Sequence, residues 1–526
     1  MLVDSFRSKW ANSGCTIMAD SLIDQGQRTL INFLVYCPAG VVFVKSVDAS
    51  DAVKHAPTLC NLFLEIVELV GPKNVVHLVT KNEANYLAAG MMLYEKYPNI
   101  YWSPCAMHCL DLILNDIATV DHVACITFRS PKVTSFLYNN MLLLAWLRKR
   151  PDWKEIVRPA VTHSATTFIT LKSLHDHKHD LQALVTSTNF TGHRLSKSAA
   201  AKVVSSIILD NKFWDDCLTT VKVAAPFIRL LRIVHSEKPS LGFVYEGICR
   251  AEKAIENILK KRIYRPSTNI IWERWDKHLC HNIYTAAYFL NPALRYDEDF
   301  VENLEVMNGL LDTLKKPDIC PNGLKALNEI RLYRDRLGSF SQPSALSRAK
   351  TMRPDEWWRL FGHNAPNLQQ LAIRLLSQTA SSLGCERKWS FFERLHTKNR
   401  NRLEHQRLKD RVYVIYNLRL KNRLHHKRTN DPIDYECIDK TDFWVIEEEA
   451  PSELTSEDID HAIYQDEAAP IFNNHGNCSQ DGGEDDEFDF ADQLDFGSFI
   501  GVGDSSSDSK DGYGLRVGGH DEDRQC

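Results

Sequence analysis

The sequence predicts an α/β protein in which a small sheet-forming core is joined to a large all-helical block. Two observations lead there. Strand and helix signals alternate over residues 14–118 and then nearly vanish from Thr119 to Arg353. A last segment, 354–421, combines helix formers with large apolar anchors. The predicted organisation is therefore a core at 1–118, a helical insertion at 119–353, and a helical C-terminal segment at 354–421 that completes the core. A linker and acidic tail follow at 422–526.

The elements follow in order. GCTIMADS is a short apolar run that ends in a polar cluster. RTLINFLVYCP and GVVFVKSVDAS are β-rich stretches on either side of Pro38-Ala39-Gly40, the signature of an antiparallel hairpin. The next stretch spaces Leu59, Leu62, Ile66 and Leu69 as a helix does and stops at Gly71-Pro72. NVVHLVTKN is a continuous apolar run of the length of a buried parallel strand. EANYLAAGMMLYEKYP reads as a helix, and NIYWSPCAMHCLDLILNDIA passes from strand into helix. Three strands with an early hairpin, then helix, strand, helix and strand, is the order of an RNase H-like sheet. In the helical block, FWDDCLTTVKVAAPFIRLLRIVHS and GFVYEGICRAEKAIENILKKR are amphipathic, and IIWERWDKHLCHNIYTAAYFLNP reads as one further helix.

Composition narrows the class. No run approaches the roughly 20 apolar residues of a membrane span, so no membrane partner is expected. The 14 cysteines are scattered without a CxxC pair, the pattern of reduced, buried thiols. The net charge of −5 hides a division. Residues 431–526 hold 28 acidic and 4 basic residues, which leaves 59 basic and 40 acidic in 1–430. A basic body suits a polyanionic partner. The tail is too acidic and too poor in aliphatics to bury a core of its own, which predicts disorder.

Three stretches together resemble the hAT superfamily of transposases in its plant-type form: GCTIMADSLIDQGQRTLINFLVYCPAGVVFVKSVDAS, NVVHLVTKNEANYLAAGMMLYEKYPNIYWSPCAMHCLDLILNDI and LLSQTASSLGCERKWSFFERLHTKNRNRLEHQRLKDRVYVIYNLRLK. The last resembles the family's C-terminal dimerisation region. The resemblance spans roughly residues 8–421, including RPAVTHSATTFITLKSL and the Trp357-Trp358 segment. It implies metal-dependent phosphodiester chemistry, in which two aspartates and a glutamate hold divalent ions through hard oxygen ligands. By resemblance the first aspartate is Asp20 and the glutamate is Glu386. The second should lie where the family writes VTDN, and here Val79-Thr80-Lys81-Asn82 stands.

That departure decides the expected activity. A protonated lysine has no lone pair for a metal. Each unit-charge interaction at 4 Å is worth about 4 kcal/mol at an effective dielectric near 20, and the swap turns attraction into repulsion. Two further departures agree: Asp20-Ser21-Leu22-Ile23 replaces the family's aspartate, small residue, Trp and Thr, and Thr162-His163-Ser164 lacks the Arg-aromatic pair. No counterpart of the family's BED-type zinc finger is found. An inactive, transposase-derived protein is expected, without a cofactor of its own although active relatives use Mg²⁺.

The remaining assignments follow the resemblance. Cys105 and His108 match a CxxH motif and are read as structural, since a zinc site needs about four ligands. His175 to Asp180, HDHKHD, is read as solvated surface. Trp357, Trp358, Leu368, Leu371, Leu375 and Trp389 are candidate dimer contacts, as aromatic anchors are typical of interfaces. Arg387, Lys388, Arg394, Lys398, Arg400 and Arg402 are candidate nucleic-acid contacts. The expected partners are a second copy, as a homodimer or higher oligomer, and DNA, and the expected location is the nucleus, with KKR at 260–262. The rival readings are an active metal-dependent transposase or nuclease, and a nuclear regulator acting through its acidic tail.

Overall fold

The computed structural model describes residues 2–23, 27–50, 55–157, 164–235, 238–258, 271 and 273–382, with Cys385, Tyr413, Val414, Asn417 and Leu418 beyond them. Outside the described residues lie Glu386, the basic candidates Arg387 to Arg402, Trp389, Thr162-His163, the KKR run and the acidic tail.

One five-stranded sheet organises the N-terminal part. Its strands are β1 (Cys15–Ile23), β2 (Thr29–Cys37), β3 (Gly40–Asp48), β4 (Val75–Thr80) and β5 (Tyr101–Pro104), in the order β3-β2-β1-β4-β5. The first three are antiparallel, and β4 and β5 run parallel to β1. The hairpin predicted at Pro38-Ala39-Gly40 closes β2 onto β3 with Cys37 opposite Gly40. The apolar strands are buried because both faces of the sheet are covered. On one face pack α1 (Leu2–Ser13), α2 (Ala56–Val70) and α3 (Ala84–Lys96), with Phe6, Trp10, Phe63 and Tyr86 in contact with Ala19, Phe33 and Leu78. Helix α2 ends where Gly71 adopts φ 94°, a conformation that costs other residues more. Helix α4 (Ala106–Thr119) follows β5 and enters a larger core shared with the helical block.

Among the described residues from Thr119 to Arg353 there is no strand. The helices of this block include α5 (Asp121–Tyr138), α6 (Ser164–Asp176), α7 (Asn211–His235), α8 (Val244–Ile258), α9 (Asn282–Leu290), α10 (Leu304–Leu314) and α11 (Gly323–Arg334). The single helix predicted over IIWERWDKHLCHNIYTAAYFLNP is two. A π-helical turn, Trp275–Leu279, closes with Cys280 N–H donating to Trp275 O at 2.9 Å. His281 is then extended (φ −124°, ψ 135°) before α9 starts. The break has a packing cause: Ile283 through Leu290 are all buried, so α9 is apolar all round and runs through the core. His281 meets the Trp102 ring at 6.1 Å on the way in.

The C-terminal part contributes α12 (Pro354–Phe361) and α13 (Pro366–Leu376). Trp357, Trp358, Leu368, Leu371 and Leu375 are fully buried in the chain's own core. Trp357 donates its indole N–H to Ala345 O at 2.8 Å, and Trp358 donates to Leu290 O at 2.8 Å. Phe340 stacks on Trp357 at 5.8 Å. All five therefore serve the chain's own packing, where the sequence favours subunit contact for part of the set, and they cement α12 and α13 to α9 and α11.

The histidine cluster also differs from expectation. His177 is nearly buried and packs its ring on Trp153 at 4.2 Å, while His175 approaches Trp214 at 6.4 Å. His177, just after α6, is buried against the Trp153 indole, while His175 within α6 is half-buried and Asp176 and His179 are exposed.

Candidate functional site

The site grows from the middle of the sheet. Asp20 is the sixth residue of β1, and its carboxylate is buried on the face away from α1, α2 and α3. Its Oδ1 accepts from the Ser21 backbone N–H at 2.8 Å, and its Oδ2 accepts from Ser382 Oγ at 3.0 Å. In the antiparallel register Asp20 faces Asn32, and Asn32 faces Ser46. Directly opposed residues share a face and stand about 5 Å apart. A row of three buried polar side chains therefore crosses β1, β2 and β3. Among the described residues, neither end of the Asn32 carboxamide nor Ser46 Oγ has a hydrogen-bond partner.

On the other side of β1 the parallel register pairs Ala19 with Thr80, the last residue of β4. Lys81 comes next, one step past this pair, as Asp20 does on β1. Its ammonium lies 3.6 Å from Glu83 Oε1, with the two side chains 24% and 50% exposed. Glu83 precedes α3 and is the residue before its first turn. Thr80 pins this corner: its carbonyl accepts from Cys105 N–H at 2.7 Å, and its hydroxyl accepts from Trp102 Nε1 at 3.2 Å. Tyr86, on α3, is raised above its ordinary pKa by burial, with Asp20 and Glu83 adding to the shift.

A strap, residues 377–382 together with Cys385, crosses the same face of the sheet. Thr16 Oγ1 donates to Gln378 Oε1 at 2.9 Å, and Gln378 Nε2 donates to Ser13 O at 3.0 Å. Ala106 N–H donates to Ala380 O at 2.9 Å. Ser382 N–H donates to Cys105 Sγ at 3.3 Å, and Cys385 Sγ donates to Asn32 O at 3.6 Å. Cys105 is thus bonded to the residue whose hydroxyl reaches Asp20. His108, its CxxH companion, is half-buried.

Beneath the strap runs a closed hydrogen-bond chain. His77 Nδ1 lies 3.2 Å from Thr379 O, so it carries the proton, and Nε2 accepts from Ser103 Oγ at 2.8 Å. Ser103 Oγ in turn accepts from Tyr284 OH at 2.9 Å. Burial pushes His77 down to about 3, so the imidazole is neutral. The chain is satisfied at every link and reaches no solvent, which makes it a structural tie between β4, β5 and α9.

Among the described residues, no group of three or more His, Cys, Asp or Glu side chains gathers as a metal-binding set. The donors around Asp20, among the described residues, are one carboxamide and hydroxyls, and an ammonium-bearing residue follows the neighbouring strand. A pair of divalent ions needs several carboxylates, and Glu386, the other candidate, lies outside the described residues.

Of the residues singled out from the sequence, Asp20, Lys81 and Cys105 converge on this corner. Asn32, Ser46, Ser382 and Cys385 were missed. A signal for Asn32 and Ser46 was present: each is a polar residue inside an otherwise apolar strand, TLINFLVYC and GVVFVKSVD. Ser382 and Cys385 carry no such mark, since only the fold returns them to β1 and β2.

Two family models match the chain. The Domain of unknown function (DUF659) matches residues 1–130, and the hAT family C-terminal dimerisation region matches residues 332–418. No curated protein matches it. The first match takes in all five strands and Asp20, and the second takes in α12, α13 and the strap.

Proposed function

From the premise that this chain is an hAT-family transposase-like protein, we propose that it is a self-associating, transposase-derived protein that no longer cuts DNA. The observation that carries the loss of cutting is the register at the β1–β4 seam. Ala19 pairs with Thr80, so Asp20 and Lys81 are the next residues along the two strands, and Lys81 stands where the resemblance implies an aspartate. Like charge repels a cation there, and a protonated lysine cannot ligate one. The strand order β3-β2-β1-β4-β5, three antiparallel strands followed by two parallel ones, supports an RNase H-like core.

Self-association is supported by the match to a dimerisation region over residues 332–418. Residual DNA affinity is supported by the basic balance of residues 1–430, with 59 basic against 40 acidic residues, and a nuclear location follows from that reading. No described helix is long and apolar enough to cross a membrane.

Nicking of supercoiled plasmid with Mg²⁺ or Mn²⁺ tests the reading. The full chain should leave the plasmid intact. Cleavage by the parent chain that disappears in Asp20→Ala would overturn it. Lys81→Asp serves as the informative partner, because it restores the carboxylate without touching the strap.

A further inference from the structure

We propose that the carboxamide of Asn417 stands in for a neighbouring β-strand, and that it keeps the outer edge of the sheet from pairing with the same edge of a second copy. Strand β3 lies at the end of the order β3-β2-β1-β4-β5, so among the described residues no strand covers its outer side. An open edge presents N–H and C=O groups to any extended chain. Here both outward groups of one residue are taken. Phe43 N–H donates to Asn417 Oδ1 at 3.3 Å, and Asn417 Nδ2 donates to Phe43 O at 3.2 Å.

The contact has the chemistry of a ladder rung. In an antiparallel pair, two opposed residues can exchange N–H···O bonds in both directions. A carboxamide carries an acceptor and a donor on one carbon, so it can answer both groups of a single residue. Asn417 and Phe43 are 374 positions apart, and they are only 5% and 1% exposed. Tyr413, helical like Asn417, sets its ring edge-on to the Phe43 ring at 6.3 Å. A ring contact and two hydrogen bonds therefore meet at the same residue of β3.

The rest of β3 explains why the cap sits there. Residues 40–44, GVVFV, are uncharged and rich in strand formers, a composition that pairs with itself when its edge is open. Farther along, the strand has other guards. The register slips between Phe33 and Leu34 and leaves Val44 as an extra residue, a bulge that disturbs the edge. Lys45 follows, paired with Glu65 at 2.5 Å, and the strand ends on the exposed Asp48. Charge on an edge opposes pairing. The uncharged half has Asn417 instead. A second copy is the fitting occupant, because identical strands set antiparallel about Phe43 are self-complementary: each N–H meets the other copy's C=O.

The test combines residue-resolved hydrogen exchange with size-exclusion chromatography and light scattering on the full chain, comparing the parent with Asn417→Ala and Asn417→Leu. The leucine fills the same space without a donor or acceptor, which keeps the test decisive if the alanine variant fails to fold. In either folded variant the Phe43 amide should exchange at least tenfold faster than in the parent, with β1 unchanged. Over hours the variant should also form assemblies larger than the parental species that bind thioflavin T. Adding Val44→Lys, which puts a further charge on the edge, should abolish those assemblies and leave the fast exchange. Parental exchange at Phe43 in a folded variant overturns the cap. Fast exchange without larger assemblies, or assemblies that persist with Val44→Lys, overturns the guarding of the edge.

Discussion

Ser382 donates its hydroxyl to Asp20 Oδ2 at 3.0 Å, joining residues 362 positions apart in the sequence. The carboxylate that the family resemblance assigns to metal binding is thus held by the strap that ends the C-terminal helices. Its second oxygen takes the Ser21 amide. Removing one partner leaves a buried charge short of a hydrogen bond. Ser382→Ala is therefore expected to lower stability by about 1–3 kcal/mol. Urea unfolding of the variant beside the parent measures it, and an unchanged midpoint would mean that the bond is not made in solution.

Trp357 and Trp358 distinguish core from interface. Both are enclosed and both spend their indole N–H inside the chain. Trp358→Ala should cost roughly 3–5 kcal/mol of stability, as large-to-small changes in a core do. Thermal unfolding under conditions that keep the protein monomeric checks this. A variant that unfolds at the parental temperature but loses its partner would return these residues to the interface.

Gly90, on α3, has no room for a side chain. A methyl group there would stand 2.4 Å from Trp102 Cδ2, well inside contact distance. The ring is held in turn by its bond to Thr80, next to Lys81. Gly90→Ala should therefore destabilise by about 1–3 kcal/mol through overpacking, despite the better helix propensity of alanine. Denaturant titration gives the sign directly. Stabilisation would show that the α3–β5 contact is looser than described.

His77 predicts a pH dependence. Burial lowers its folded pKa to about 3, whereas an unfolded chain keeps the ordinary value near 6.5. Between those limits the unfolded state binds the extra proton, so this residue makes stability fall as the pH drops from about 6.5 toward 3. His281, lowered to about 4 chiefly by burial, acts in the same direction over a narrower range. Histidine NMR titration provides the check: the His77 ring should stay neutral at pH 5. A ring that titrates near 6.5 in the folded protein would refute the closed chain to Ser103 and Tyr284.

From residue 14 to 118 the predicted order of strands and helices is the order found, because each element carries its own period and its own stop; the first helix, Leu2–Ser13, was not predicted. Val75 to Thr80 had to be a covered strand, since every one of its side chains avoids water. Gly71 had to end α2, since few other residues tolerate its φ. Lys81 was equally legible, as a cation where the family resemblance implies an acid.

Other features belong to the tertiary structure alone. The break at His281 follows from driving α9 through a core that is apolar on every side, and helical periodicity cannot see that environment. The sequence cannot place the tryptophans of α12, because an exposed anchor and a buried one have the same sequence. What separates them is whether α9 and α11 have already covered the rings. The row Asp20, Asn32 and Ser46 exists only through strand register, and Ser382 joins it only through a chain return of several hundred residues. Local periodicity and chemical type are properties of a short segment, so the sequence by itself determined the elements and the charge at position 81. Which side chains share a face, and which remain outside, depends on contacts between distant segments, and only the folded chain decided those.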